Sequence, residues 1–384
     1  MYFCSISNNL AGIYIHIPFC KQACNYCNFH FSTNLSYRQQ MVDSICKEIA
    51  NRTNYLAGEP IETIYLGGGT PSILSPKELT QIFKTLDQYY HIATAQEITI
   101  EANPDDINPT LLSFLKNDSP VNRLSIGIQS FFEDELKFMN RAHSAKEAKQ
   151  CIDMARQYDF ENISADLIYG SPLSNMQKWE KNLSTLTDFK IPHLSAYCLT
   201  VEEKTALHHQ IKSGQSPALD DELASEQFLF MQDYTAQKGY IAYEISNLAL
   251  EGHFALHNSN YWKGKSYLGI GPGAHSFNGN SRLWNLSNNS LYLKNMELNQ
   301  PFSEEEILSI KDRYNEYIMT GLRTIWGLQE SNLKQFDASI FTYFKQQVKP
   351  FLESKKVSYD GQSYQLSKEA RLQADGIASE LFAI

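Results

Sequence analysis

IYIHIPFCKQACNYCNF, Ile13 to Phe29, opens with a β-branched and aromatic run and then places Cys20, Cys24 and Cys27 in the spacing C-x3-C-x2-C. The run reads as a buried strand, so the cysteines fall on the loop that leaves its C-terminal end. Three thiolates so spaced can hold three irons of a [4Fe-4S] cube, whereas iron–sulfur clusters usually take four. One iron is then open, and an open position separates a metal site built for chemistry from one built for structure. That iron could be chelated by the amino and carboxylate groups of S-adenosylmethionine, poised for one-electron reduction and homolysis to a 5′-deoxyadenosyl radical. The blander alternatives are buried free cysteines and a zinc or redox dithiol site around the C-x2-C pair. Zinc needs a fourth ligand, and His16 and His30 are the nearest candidates.

Working outward, runs with strand character recur at Ile13–Pro18, Thr63–Leu66, Ile98–Ala102, Arg123–Gln129, Ile163–Ile168 and His193–Leu199. Segments of helical period lie between them, among them SPKELTQIFKTLDQYY and SAKEAKQCIDMARQYD. Alternating signals of this kind imply parallel strands joined by right-handed crossovers. Six units with no convincing seventh or eighth predict an α/β fold built on an open, partial (β/α)6 barrel. No G-x-G-x-x-G opens the first crossover, which makes a doubly wound dinucleotide-binding sheet the weaker alternative.

Beyond about residue 205 the pattern changes. Residues 220–240 read as one helix ending at Gly239, and residues 243–290 are rich in Asn, Gly and aromatics and read as loop. The last eighty or so residues combine helices with VSYDGQSYQLS, whose Asp360-Gly361 is a hairpin signal, and a final helix from about Lys368. The expected organisation is a core barrel over 1–205, a loop-rich segment covering its mouth over 206–300, and a mainly helical, winged-helix-like domain over 301–384. The chain is 384 residues long with a formal charge of −10; that balance argues against nucleic acid as the main partner. No apolar run reaches membrane-spanning length, MYFCSISNNLAG shows no leader pattern, and seven cysteines with three clustered suit a reducing compartment. The expectation is a cytoplasmic protein.

The polar and glycine-rich residues follow the strand ends, where barrel enzymes carry their chemistry. Gly67, Gly68 and Gly69, followed by Thr70, allow close backbone approach to a ligand. Glu101, delivered by ITIEAN, suits a cationic amino group. Arg141 could clamp a carboxylate. Asp166, inside ISADLIYG, is expensive unless paired or bound to ligand; a ribose or sulfonium contact and an ion pair with Arg141 are both open. Tyr26 and Phe29 bracket the third cysteine and could stack on adenine, shield the cluster or pack in the core. HNSNYW, His257 to Trp262, offers ligand types suited to haem iron beside a flat aromatic wall; a loop packed over the barrel mouth is the plainer reading.

YIHIPFCKQACNYCNF, YLGGGTPS, EANP, RLSIGIQSF, NRAH, DLIYGSP, HNSNYW and GAHSF together resemble the radical S-adenosylmethionine proteins of the HemN/HemW group, in order from about residue 12 to 290. These are the oxygen-independent coproporphyrinogen dehydrogenases and their haem-chaperone relatives. The resemblance implies a radical core followed by a HemN-type C-terminal domain. It assigns Cys20, Cys24 and Cys27 to the cluster, and Tyr14, Gly68 and Glu101 to a first S-adenosylmethionine. Tyr26, Gly69, Thr70, Gln129, Arg141, Asp166 and Ala196 fall where the dehydrogenases bind a second. Those enzymes have a fourth cysteine two residues after the third, where this chain has Phe29, and a longer N-terminal segment. Both departures resemble the chaperone branch. The implied activity is binding of haem, with His257 a candidate ligand, and its delivery to an acceptor protein that could sit at a membrane, with an electron-donor protein as a further partner. The alternative is radical decarboxylation of coproporphyrinogen III in haem biosynthesis.

Overall fold

The computed structural model describes residues 10–383; most of the N-terminal stretch read for a leader lies outside them. Strands β1 (Ala11–Ile17), β2 (Ile61–Gly68), β3 (Glu97–Ala102), β4 (Arg123–Gln129), β5 (Ile163–Tyr169) and β6 (His193–Cys198) lie side by side, parallel and in sequence order. Between them run α1 (Arg38–Asn51), α2 (Pro76–Tyr90), α3 (Pro109–Asn117), α4 (Glu133–Phe138), α5 (Ala145–Gln157) and α6 (Met176–Asp188). Local chemistry fixes several helix starts. Ser75 with Glu78 and Ser144 with Glu147 form capping boxes on α2 and α5, satisfying backbone amides that a helix start leaves unpaired.

The strands alternate in a way that shapes the barrel. Ile64, Leu66, Ile100, Leu124, Ile126, Ala165, Leu167, Leu194 and Ala196 join the apolar core. The residues between them, Tyr65, Glu101, Arg123, Ser125, Ser164, Asp166, His193 and Ser195, line an interior cavity. Successive strands bring these polar residues level: Tyr14 pairs with Tyr65, Glu101 with Ser125, Ser125 with Ser164, and Asp166 with Ser195. A polar layer of this kind keeps the open barrel from collapsing into a dry core, because each of these groups would be costly to bury unpaired.

The stretch 243–290 departs from its reading as loop. After α7 (Ala206–Lys212) and α8 (Asp221–Gln237) come β7 (Ile241–Ala242), β8 (Asn247–Ala249), α9 (Leu256–Trp262), β9 (Tyr267–Ile270), β10 (His275–Phe277), β11 (Ser281–Asn285), α10 (Asn289–Leu298) and β12 (Ser303–Ile307). β8 pairs antiparallel to β6 and carries β7, while β9 adds parallel to β1 and leads to β10, β11 and β12. The result is a twelve-stranded sheet in the order β12-β11-β10-β9-β1-β2-β3-β4-β5-β6-β8-β7. These added strands are two to five residues long, too short to show a period; the open sheet edges supply their partners.

HNSNYW is α9, and it lies under the barrel rather than over its mouth. The amides of Leu256 and His257 donate to Glu97, the first residue of β3, at 2.9 Å. Gly12, near the start of β1, leaves room for the His257 ring: a Cβ there would come within 3.1 Å of it.

The C-terminal domain comprises α11 (Ile310–Leu322), β13 (Leu328–Gln329), α12 (Glu330–Leu333), α13 (Ala338–Gln347), α14 (Lys349–Glu353), β14 (Val357–Tyr359), β15 (Ser363–Leu366) and α15 (Ala374–Glu380). Its sheet has the order β13-β15-β14, as in a winged helix. Its own core gathers Tyr314, Ile318, Leu328, Phe344, Val348 and Leu381. The hairpin signal holds: Gly361 has φ +96°, and Asp360 accepts the amides of Gln362 and Ser363. The final helix begins as a 3₁₀ turn over Glu369–Gln373 before α15. No described helix is long and apolar enough to cross a membrane.

Candidate functional site

The cysteine loop leaves β1 and is pinned on several sides. Cys20 N–H donates to Ser32 O, Asn25 N–H to Met139 O, and Leu207 N–H to Asn25 O. Gln22 donates to the carbonyl and side-chain oxygens of Asn140, whose Nδ2 returns a bond to Ala23 O at 2.7 Å. Lys21 pairs with Asp105 and Asp106. The loop is therefore positioned by contacts with the segments after β3 and α4 that do not involve its thiols.

Cys20, Cys24 and Cys27 line one cavity of about 580 Å³ that runs from this loop down to α9. Burial pushes the Cys20 thiol up to about 11, with Thr70 opposing, and raises Cys27 as well. A polar chain links the first two thiols of this set. Arg141 donates to Cys24 Sγ at 3.3 Å and to Asn103 Oδ1 at 2.6 Å, and Asn103 Nδ2 donates to Thr70 Oγ1 at 3.2 Å, beside Cys20.

The zinc alternative loses its fourth ligand. His16 Nε2 lies 2.8 Å from His30 O and its Nδ1 lies 3.1 Å from the Tyr14 hydroxyl; His30 Nε2 faces Asn289. Among the described residues no three His, Cys, Asp or Glu side chains converge on a single ion. Three thiols spread around one cavity fit a wider group, and a three-thiolate donor set fits a [4Fe-4S] cluster with an open iron.

The remaining cavity suits a ligand carrying charges of both signs. Glu101 accepts from the Tyr65 hydroxyl at 2.8 Å and from Gly68 N–H at 3.1 Å; burial pushes its carboxyl up to about 7, with Tyr65 opposing. Burial also pushes Asp166 to about 6, with Ser195 and Arg123 opposing. Asp166 Oδ1 and Arg141 Nε are buried without a hydrogen-bond partner. No Asp166–Arg141 ion pair forms among the described residues, and Asp166 lines the cavity. Gln129 stands at φ +63° beside a break in the β4–β5 register, and such an irregularity re-aims a side chain. Gly127 makes room for it, since a Cβ there would meet Gln129 Nε2 at 2.9 Å and Arg141 at 3.2 Å.

Tyr14, Tyr26, Gly68, Gly69, Thr70, Glu101, Gln129, Arg141, Asp166 and His257 all line the cavity with the cysteines. Ala196 does not: its side chain belongs to the apolar core and its N–H is given to Ser246 O. Strand alternation explains this, because its neighbours Ser195 and Tyr197 take the inward face. His257, 2% exposed, forms part of the cavity floor. Its Nδ1 lies 2.8 Å from Thr63 Oγ1 and its Nε2 2.8 Å from the Tyr261 hydroxyl, so iron binding there would require surrender of one of these bonds. Phe29 is 69% exposed and is not packed in the core. Sequence reasoning passed over Tyr65, Arg123, Ser125 and Ser195, all of them cavity-lining. The period-two alternation in TIEAN and ISADLIYG was the available signal.

A methyl group at Gly69 would overlap the carbonyl of Phe19, just before Cys20. Backbone cannot yield as a side chain can, so Gly69→Ala is expected to lower stability by about 1–3 kcal/mol and to reduce iron uptake. Urea unfolding and iron analysis after anaerobic reconstitution measure both.

Fold and site together define a partial (β/α)6 barrel protein with three cysteines at the mouth of one interior cavity. The family model for the radical SAM superfamily matches residues 14–186, and that for the HemN C-terminal domain matches residues 308–372. The chain is 31% identical to "Heme chaperone HemW" of Lactococcus lactis, over 91% of each chain. It is 30% identical to the Bacillus subtilis protein of the same name, over 94% of this chain and 97% of that one. A bovine relative, "Radical S-adenosyl methionine domain-containing protein 1, mitochondrial", is 33% identical over 86% of this chain and 77% of its own. The solved coproporphyrinogen III oxidase (HemN) of Escherichia coli superposes with a TM-score of 0.84 at 22% identity, over 98% of this chain and 90% of that one; at that identity the likeness is one of fold. The chain belongs to the radical SAM superfamily and, within it, to the HemN/HemW group.

Proposed function

We propose that this protein is a cytoplasmic haem chaperone, which binds haem and delivers it to acceptor proteins from a scaffold that also holds a [4Fe-4S] cluster and S-adenosylmethionine. The observation that carries this reading is kinship at about 30% identity, over nearly the whole chain, with relatives named heme chaperone HemW. Phe29 agrees with it, because an apolar side chain stands exposed on the cluster loop, where a fourth cysteine would suit the dehydrogenases.

The division of labour follows the chain. Residues 1–205 carry the cluster site, 206–300 floor the barrel and extend its sheet, and 301–384 form the appended domain. When bound, the cluster supplies an iron able to chelate S-adenosylmethionine and pass it one electron, which an electron-donor protein must provide. Cys20, Cys24 and Cys27 hold it, and Arg141 steadies Cys24 while keeping its Nε for a ligand. Glu101 and Gly68, beside Tyr14, receive the ligand's amino end, and Asp166 takes its ribose or sulfonium. Tyr26, Gly69, Thr70 and Gln129 close the sides. An acceptor at a membrane suits a protein whose cargo is an apolar macrocycle.

The test is anaerobic and uses one cluster-loaded sample. Titration with haem is expected to give a stoichiometric Soret band, and haem is expected to pass to an apo-acceptor. Coproporphyrinogen III is expected to remain unconverted. Absence of the Soret band would overturn the chaperone reading, and steady formation of protoporphyrinogen would replace it with the dehydrogenase one.

A further inference from the structure

A second cavity, of about 1430 Å³, opens between the β9–β11 edge of the sheet and the C-terminal domain. It exceeds the roughly 300–1,000 Å³ of ordinary small-ligand sites, so it has room for a large flat molecule. Its walls carry Phe29, Trp262, Tyr267, Phe277, Tyr317 and Phe336, the aromatic surface a planar apolar ring system stacks against. Two donors on its lining residues, Trp262 Nε1 and Arg313 Nε, are buried without a partner.

Three histidines line this cleft, and among the described residues His275 alone has both ring nitrogens free of hydrogen bonds. His16 has both ring nitrogens engaged, and His30 Nε2 is held by Asn289. His275, exposed at the start of β10, makes no ring hydrogen bond among the described residues. Its ring lies 6.3 Å from that of Trp284, its partner on β11, at an interplanar angle of 28°. Its backbone is firmly set, since a Cβ at Gly269 would overlap the His275 carbonyl. Burial and then Arg282 push its pKa below the ordinary imidazole value, which favours the neutral form that ligates iron.

Resting on the chaperone reading, we propose that this cleft is the seat of an iron porphyrin, with His275 as axial ligand and Arg313 receiving a propionate, apart from the cluster cavity. An anionic carboxylate at Arg313 would satisfy its orphaned donor by a charge-assisted bond. Tyr14, Asn28, Phe29 and Tyr261 line both cavities, so a single wall separates haem from the cluster.

The experiment titrates ferric haem into cluster-loaded full-length wild type, His275→Ala, His275→Met and Arg313→Gln, with iron and sulfide content confirming that the barrel is intact. His275→Ala is expected to bind haem about tenfold or more weakly with a shifted Soret band that added imidazole restores. His275→Met is expected to change the spin-state spectrum, and Arg313→Gln to weaken binding without moving the band. If wild type binds haem while all three variants match it in affinity and spectrum, this seat is wrong and the chaperone reading stands. If wild type itself binds no haem, both fall.

Discussion

Cys24→Ser leaves the protein without its cluster: iron and acid-labile sulfide fall to background after anaerobic reconstitution, and the brown absorbance does not develop. The donor set is already one short of the usual four thiolates, so losing one leaves two. The substitution replaces the thiol that accepts from Arg141 at 3.3 Å with a hydroxyl on a shorter bond, an oxygen that can still accept from Arg141. The fold should survive, because the loop is tied down by Gln22, Asn25 and Lys21 rather than by the thiols. Circular dichroism unchanged from wild type together with zero iron is the expected pair of results. Full iron content in Cys24→Ser would remove this residue from the cluster. Haem binding provides a cross-check: with the two cavities separate, Cys24→Ser should keep its Soret band.

How far the sequence discloses this molecule depends on element length. The six barrel strands are legible because each carries β-branched and apolar residues, several at every second position, in a short run bounded by turn residues. Arg123–Gln129 is bounded identically in sequence and structure. The outer strands β7 to β12 are not legible, since Asn247–Ala249 and His275–Phe277 are three residues each and owe their pairing to a sheet edge distant in sequence. α9 illustrates a different limit. HNSNYW is only seven residues of helix with its leading leucine, and its start is held by Glu97, some 160 residues earlier, which local capping rules cannot foresee. At the site, the cysteines, Glu101 and Arg141 could be read because motif and strand end coincide. Tyr65 could not, because its role depends on which residue of the neighbouring strands stands level with it. Ala196 lay one step away on the strand, and one step in a strand is the opposite face.

Glu101→Gln separates a ligand-binding carboxylate from a structural one by the sign of two effects. The glutamine keeps an oxygen for the Tyr65 hydroxyl and much of the shape, but it cannot meet a cationic amino group with a charge. Truncating one partner of a buried charged pair costs roughly 2–5 kcal/mol, so S-adenosylmethionine should bind at least about thirtyfold more weakly, read by equilibrium dialysis on the cluster-loaded protein. The pH dependence has a definite direction. Burial raises the free carboxyl from its ordinary 4.5 to about 7, and the cationic ligand selects the ionised form. Wild-type affinity should therefore be level above pH 7 and fall about tenfold per unit below it, while the glutamine variant stays flat. Stability moves the other way. A carboxyl raised in the folded state holds its proton more tightly there, so the ligand-free protein loses stability as pH climbs from about 4.5 to about 7. Glu101→Gln escapes that loss and should melt higher than wild type at pH 8 without ligand. A residue kept only for the fold would lose stability when replaced; one kept for a ligand gives up affinity and gains stability.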